Sequence, residues 1–317
     1  MTNSPAVSVL MSVRNGMPYI KEAVESILAQ TYREWEFVIV DNASGDGTKE
    51  YLEDMRRKDP RIRLIRNDVY KEQGEGLNMG LEQCRGVWVM RMDADDISLP
   101  DRLERQLDFI KVNPDISVAA TLVYYIDENG RVIGKNTSKW TDRISVDKTV
   151  ENNELVGLPH PSVIMRRDVI KGTGGYRPQF RPAEDIDLWN RVLEKGHRII
   201  VQGEYLLKYR IHSSGSSFSF KKAKSARLKV AWLKDCLARR RGGGGEQSWE
   251  EFLASRARMP LLKKLNAERK DYAKALYKYS VLNFSKRSYH RMLPAIMAAL
   301  IMQPGFVIKQ VTSKRWR

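Results

Sequence analysis

Two rhythms of apolar residues alternate along the first hundred positions. Continuous runs rich in β-branched side chains, Val7–Val13, Trp35–Val40, Arg61–Ile65 and Gly86–Met90, read as buried strands. Between them apolar residues recur at helical spacing. Ile20, Val24, Ile27 and Leu28 mark a helix from Pro18 to about Gln30, a second follows Thr48 through Met55, and a third spans Gly76–Cys84. Strand and helix in strict alternation predict a parallel sheet covered by helices on both faces. Three of these four strands give way to a polar stretch singled out here: Arg14-Asn15-Gly16, Asp41 to Thr48, and Asp93 to Asp96. Ligands of open α/β sheets bind beyond the carboxyl ends of the strands, so these three stretches are expected to converge on one cleft.

The pattern then loosens. A helix is expected over Pro100–Val112, a strand over Ile116–Ile126 and a hairpin turn at Asp127–Gly130 leading into Val132-Ile133. Residues 135–155 are polar and carry no clear period. His160–Met165 reads as a strand and residues 172–182 as a Gly/Pro-rich loop; a helix follows over Glu184–Lys195. Strands are expected over Arg198–Gln202 and Leu206–His212, closing a catalytic domain near residue 218. From residue 219 the reading is a helical C-terminal region: Lys221–Arg241, a joint at Gly242–Gly245, then Trp249–Leu253, Leu261–Asn283 and Tyr289–Met302.

Charge sharpens that division. Residues 1–218 hold 31 Lys and Arg against 33 Asp and Glu, whereas residues 219–317 hold 24 against 6, so the formal net charge of +16 belongs to the C-terminal third. A basic surface attracts nucleic acid or anionic membranes alike. No nucleic-acid module or aromatic interleaving accompanies it, which disfavours the first. The longest apolar run, Leu293–Met302, contains Pro294 and is too short to span a bilayer, and no secretory signal is visible at the N-terminus. Two cysteines, Cys84 and Cys236, form neither a disulfide framework nor a zinc spacing.

The candidate chemistry starts at Asp93-Ala94-Asp95-Asp96. Carboxylates this close repel one another unless a cation sits among them, and Mg2+ or Mn2+ shares oxygen ligands between carboxylates and substrate phosphates. An acidic turn capping the next helix is the plainer alternative. Asp185, in Glu184-Asp185-Ile186-Asp187, is either a first-turn acid favoured by the helix dipole or a proton acceptor for an attacking hydroxyl. His212, at a strand end, could complete a metal shell or touch a pyrophosphate, and His160 could lie on the acceptor side. After the first strand, Arg14-Asn15-Gly16-Met17-Pro18 does not supply the Gly-x-Gly-x-x-Gly of a dinucleotide site, and no Walker A sequence occurs.

Taken in order, Ser8 to Gly16, Asp41 to Thr48, Arg91 to Asp96, Gly174-Gly175-Tyr176, Glu184-Asp185 and Tyr209-Arg210-Ile211-His212 resemble the family 2 inverting glycosyltransferases over roughly residues 6–218. The resemblance implies a GT-A fold and a nucleotide-sugar donor, with a UDP-sugar the usual one. Ser12, Arg14, Asp41, Asn42 and Asp93 would bind the donor. Asp93, Asp95 and His212 would hold Mg2+ or Mn2+, Asp96 would be structural, and Asp185 would be the general base. Arg14 and Asn42 stand where the family usually has Tyr and Asp, which leaves the base of the nucleotide open. Relatives that build surface polysaccharides commonly use lipid-linked acceptors. The basic helices, with Ile296, Leu300 and Phe306 flanked by Lys309, Lys314, Arg315 and Arg317, therefore suggest a peripheral protein on the inner, cytoplasmic face of the membrane acting on a glycan or polyprenyl-linked acceptor. A non-catalytic sugar-nucleotide binder and a basic nucleic-acid-binding protein are the other classes considered. The intact Asp93, Asp95 and Asp185 argue against the former.

Overall fold

The computed structural model describes residues 5–212, 220–285 and 288–312. The N-terminal half follows the alternation expected from sequence: β1 (Val7–Val13), α1 (Ile20–Leu28), β2 (Trp35–Asn42), α2 (Thr48–Lys58), β3 (Ile62–Asn67), α3 (Gln73–Gln83) and β4 (Trp88–Arg91). A two-residue strand β5 (Ile97–Ser98) leads to α4 (Arg102–Val112), β6 (Ile116–Ile126), β7 (Val132–Lys135), α5 (Arg143–Glu151), β8 (Ile164–Arg166), α6 (Arg167–Gly172), α7 (Glu184–Glu194) and β9 (Arg198–Arg210). The sheet runs in the order β3-β2-β1-β4-β8-β6-β9-β5, with β7 paired to β6. Its β3-β2-β1-β4 half is parallel, and β8 joins β4 and β6 antiparallel, as β5 joins β9.

Parallel strands need cover on both faces, which is why β1 and β2 are mostly apolar and buried along their whole length. Two glycines let α3 lie close over them. A Cβ on Gly80 would come within 2.3 Å of Leu10 and one on Gly76 within 2.4 Å of the Ser12 hydroxyl. Register sets which residues reach the carboxyl edge: Val13 pairs with Asp41 and Leu10 with Arg91, so the chain leaves β1, β2 and β4 along the same border. At the opposite edge Glu36 is held by the Ser8 hydroxyl (2.7 Å), the Arg85 amide and guanidinium (2.7 and 2.8 Å) and Arg63 (3.2 Å). Burial pushes its pKa up, but those donors outweigh it and hold the carboxyl below its ordinary value.

Several elements differ from the sequence reading. The two short strands expected over residues 198–212 are one 13-residue strand, because Gly203 and Glu204 continue the extended backbone. His160–Ser162 forms a single 3-10 turn before β8, in keeping with its central Pro161. α5 and α6 fall in segments with too few apolar repeats to announce a helix, and β5 exists only through its pairing with β9.

The chain separates into two compact units, residues up to 124 together with 136–210, and residues 125–135 together with 211 onward. In the second, α8 (Phe220–Arg241) and α9 (Trp249–Ala257) meet through Trp232 and Trp249, whose rings lie 5.3 Å apart edge to face. α10 (Leu261–Ser285), α11 (Tyr289–Met302) and α12 (Pro304–Thr312) enclose a small core of Tyr277, Ala299 and Val307. Among the described residues no helix is long and apolar enough to cross a membrane. Lys314, Arg315 and Arg317, and the boundary drawn between residues 218 and 219, lie outside the described residues.

Candidate active site

Two turns at the carboxyl edge are stitched together by side chains. The Ser44 hydroxyl accepts from the Asn15 amide (2.9 Å), Asn15 Oδ1 from the Gly45 amide (2.9 Å), Thr48 Oγ1 from Gly16 (2.8 Å) and Asp46 Oδ2 from Met17 (2.9 Å). This explains why the stretches after β1 and β2 are rich in Asn, Ser, Asp and Thr: each supplies a short side chain that can satisfy the other's backbone. Asn15 and Ala43 adopt positive φ here, 53° and 61°. Asp41 is buried, and its Oδ1 accepts from the Ser44 amide at 3.3 Å.

Asn42 is committed to the chain itself. Its Nδ2 donates to the Lys71 carbonyl (2.6 Å) while Oδ1 accepts from the Lys71 amide (2.9 Å) and Asn67 Nδ2 (2.9 Å). An aspartate could not make the first bond, a physical reason for amide rather than acid at this position. Arg14 lies 4.1 Å over the ring of Tyr70. The Tyr70 hydroxyl accepts from Arg181 (2.7 Å) and donates to Glu72 (3.2 Å), and Arg181 also pairs with Glu72. The sequence does not single out Tyr70, Glu72 and Arg181, the first two in the loop before α3 and the third before α7.

Beyond β4 the carboxyl oxygens of Asp93, Asp95 and Asp96 come within 4.8 Å of one another, an arrangement that could hold a metal ion. Beneath them Arg91 is fully buried; its Nη2 lies 2.5 Å from Asp93 Oδ1, another of its nitrogens donates to the Met92 carbonyl, and its Nε has no partner. Arg102, also fully buried, donates to the carbonyl of Arg91 (3.2 Å) and to Gln106 (3.0 Å). Burial raises the pKa of Asp93, assisted by Asp95 and opposed by Arg91. Asp96 is raised well above the carboxylate range by burial and by both neighbouring acids. Arg210, at the end of β9, ties the turn down: its amide donates to Asp96 Oδ1 (2.8 Å), its Nε to the Asp95 carbonyl (2.8 Å), and its Nη2 pairs with Glu22 at 2.5 Å. Asp96 Oδ2 remains buried without a partner. An unpaired oxygen inside three crowded carboxylates fits a divalent cation, the group that would remove both the repulsion and the unsatisfied acceptor.

At the start of α7, Asp185 is pushed up to about 7, first by burial, then by Glu184 and with a smaller contribution from Asp93. Glu184 is itself buried and raised by burial, and its Oε2 has no partner. Asp187 is structural instead. Fully buried, it receives Arg177 Nε (2.9 Å) and Arg191 Nε (2.8 Å). Arg191 in turn donates to the carbonyls of Thr173 and Gly175 at 2.6 Å. That brace fixes the Gly174-Gly175-Tyr176 turn, where Gly175 has φ 63° and a Cβ would meet Asn78 Oδ1 at 2.6 Å. Asn78 holds both backbone groups of Tyr176, whose hydroxyl lies 2.9 Å from His160 Nε2. Burial holds His160 well below its ordinary pKa with Arg91 assisting, and burial raises Tyr176, so the pair is neutral at pH 7.

Arg91, Asp93 and the Glu184-Asp185 pair thus share one electrostatic environment although roughly ninety residues separate them in sequence. Ser12 and Asn42 lie under α3, near the position a Gly76 Cβ would occupy. His212 follows two residues after Arg210 and belongs to the second unit, so its part in a metal shell rests on the family resemblance.

A family model, Glycosyl transferase family 2, matches residues 8–174. The chain belongs to that family and has the GT-A fold. It is similar to a putative glycosyltransferase, EpsE, of Bacillus subtilis, 35% identical over 218 residues covering 66% of this chain and 74% of the relative. It is also similar to the O-antigen biosynthesis glycosyltransferase WbnJ of Escherichia coli, 31% identical over 67% of this chain and 82% of the relative. Among solved structures, S. aureus TarS in complex with UDP-GlcNAc matches with a TM-score of 0.59 at 16% identity, over 98% of this chain and 93% of that one. A mannosyltransferase from Pyrobaculum calidifontis, in complex with GDP-Man and Mn2+, matches with a TM-score of 0.56 at 17% identity, over 99% and 89%.

Proposed function

We propose that this protein is a metal-dependent inverting glycosyltransferase that moves a sugar from a nucleoside-diphosphate donor to a hydroxyl of a glycan or lipid-linked acceptor in surface-polysaccharide synthesis. The observation that carries the reading is the Asp93, Asp95, Asp96 cluster at the end of β4 in a family 2 scaffold. Relatives named for O-antigen and teichuronic acid biosynthesis support the pathway class. Solved neighbours bound to UDP-GlcNAc or GDP-Man support a nucleotide-sugar donor without fixing its base.

Asp93 and Asp95 would hold the cation, with His212 as a further ligand on the family resemblance; when bound, Mg2+ or Mn2+ supplies positive charge to the departing diphosphate. Arg91 fixes the rotamer of Asp93 from below, and Arg210 fixes the turn through Asp95 and Asp96. Ser12, Arg14 and Asp41 would bind the nucleotide, with Asn42 acting through the Lys71 backbone it holds. Asp185 takes the proton from the acceptor hydroxyl as it attacks the anomeric carbon from the face opposite the diphosphate. A carboxyl near 7 suits this, because a base poised at the working pH is half ionised yet still basic enough to accept.

Nucleoside-diphosphate release is the assay. Across a panel of UDP-, GDP- and dTDP-sugars with Mn2+, one donor should turn over and chelation should stop it. Donor binding and turnover that survive both chelation and Asp95→Asn would refute the metal-dependent reading.

A further inference from the structure

The second unit carries an apolar surface that its own core does not use. α11 buries one side through Ala295 and Ala299, with Ile296 and Leu300 packed against the core formed by Tyr277 of α10 and Val307 of α12. Its other side repeats apolar residues every fourth position: Tyr289, Leu293, Met297 and Ile301 are 50, 54, 54 and 78% exposed. Residues four apart on a helix lie one above the next, so these side chains form a continuous stripe. α12 adds Ile308 and Val311, both more than half exposed. Among the described residues none of the unit covers the second apolar side, which leaves it open to an apolar partner.

Charge indicates what covers it. After Asp271 the chain holds nine Lys and Arg and no Asp or Glu to its last residue. Arg291 on α11 and Lys309 on α12 are both exposed. A second copy of this chain would bring the same uncompensated positive charge against it, whereas an anionic lipid surface neutralises the cations and accepts the apolar side chains together.

We propose that the α11–α12 stripe is the membrane-contacting face of the protein, with Leu293, Met297, Ile301 and Ile308 sunk to the headgroup–acyl boundary of an anionic bilayer and Lys309 at headgroup level. This deepens the reading of a lipid-linked acceptor and rests on it.

The test is co-sedimentation of the full chain with vesicles rich in phosphatidylglycerol and with vesicles of phosphatidylcholine alone. Binding is expected to the anionic vesicles, to weaken with added salt, and to fall about tenfold or more in the Leu293→Asp/Ile301→Asp variant, which places two charges in the buried boundary. Arg291→Glu/Lys309→Glu, altering exposed charges only, provides an independent loss of binding should the first variant melt early. Undiminished binding by either variant with a native melting temperature overturns the proposal. So does equal binding of the wild type to both vesicle types, or a dimer in light scattering that the aspartate variant dissociates. Donor turnover without vesicles is read alongside. Turnover with no vesicle binding overturns the docking face alone, and vesicle binding with no turnover overturns the transferase reading alone.

Discussion

Replacing Asp185 by Asn should remove two consequences of one half-buried charge, and they can be measured apart. Its carboxyl stands at about 7 against an ordinary 3.8. Each pKa unit is about 1.4 kcal/mol, so ionising it inside the fold costs about 4 kcal/mol more than in the unfolded chain. The folded-state pKa is raised. Between about pH 4 and 7 the folded protein therefore keeps a proton that the unfolded chain has released, and stability falls as pH rises through that window. Above about pH 7 both states are ionised and the penalty is constant. From roughly pH 5.5 to 8 this one group accounts for about 2 kcal/mol of lost stability. Urea denaturation of the metal-free protein at both pH values should show the wild type losing that much more than Asp185→Asn, which carries no titrating group there. Parallel pH dependences would refute the raised carboxyl. In the presence of donor, acceptor and metal the same variant should bind nucleotide sugar with little change and lose turnover by at least about two orders of magnitude, the usual worth of a positioned base. Wild-type kcat/KM should fall as pH drops below about 7, with a bound cation moving that limb to lower pH; normal turnover in the variant would remove Asp185 as the base.

Arg91→Met keeps the unbranched stem of a fully buried side chain but strands the carboxylate of Asp93, and should cost about 3–5 kcal/mol in denaturant unfolding, partly recovered by Mn2+ if the cation occupies the acidic cluster. Asn42→Asp loses the donor to the Lys71 carbonyl and sets a carboxylate against it; about 1–3 kcal/mol of stability should go, with a raised KM for donor and an unchanged kcat. Glu36→Ala leaves the Arg85 amide and the Ser8 hydroxyl without their acceptor at the edge remote from the acids, costing about 3 kcal/mol with the metal dependence of the activity unaltered. Because the Glu36 pKa is lowered by folding, the wild-type advantage over that variant should shrink as pH falls through the acid range, which melting curves at graded pH would record.

The elements of the first half were legible because parallel strands buried on both faces leave long apolar runs, and the covering helices leave a clear period. Legibility failed where an element exists through its partner. β5 is two residues long and is a strand only because Ile97 and Ser98 pair with Lys208 and Leu207 of β9. Within the candidate site, the acids at 93, 95, 96 and 185 stood out because crowded carboxylates are uncommon. The residues that control them did not. Arg91 reads as an ordinary residue at a strand end, Arg210 as one of many cations, and His160 and Tyr176 as unrelated aromatics sixteen positions apart.

By itself the sequence determined the strand–helix alternation, the carboxyl edge where polar turns gather, the acidic cluster and the basic, acid-free C-terminal end. These are local or compositional properties, set by side-chain period and by charge. The tertiary structure alone decided that Asp187 braces the Gly174-Gly175-Tyr176 turn while Asp185 beside it carries the raised pKa. It also decided that Asn42 is spent on its own backbone, and that α11 has a second apolar side left exposed by the described residues of its own unit. Each depends on which surfaces are buried and which charges share a low-dielectric interior, and neither is encoded by spacing along the chain.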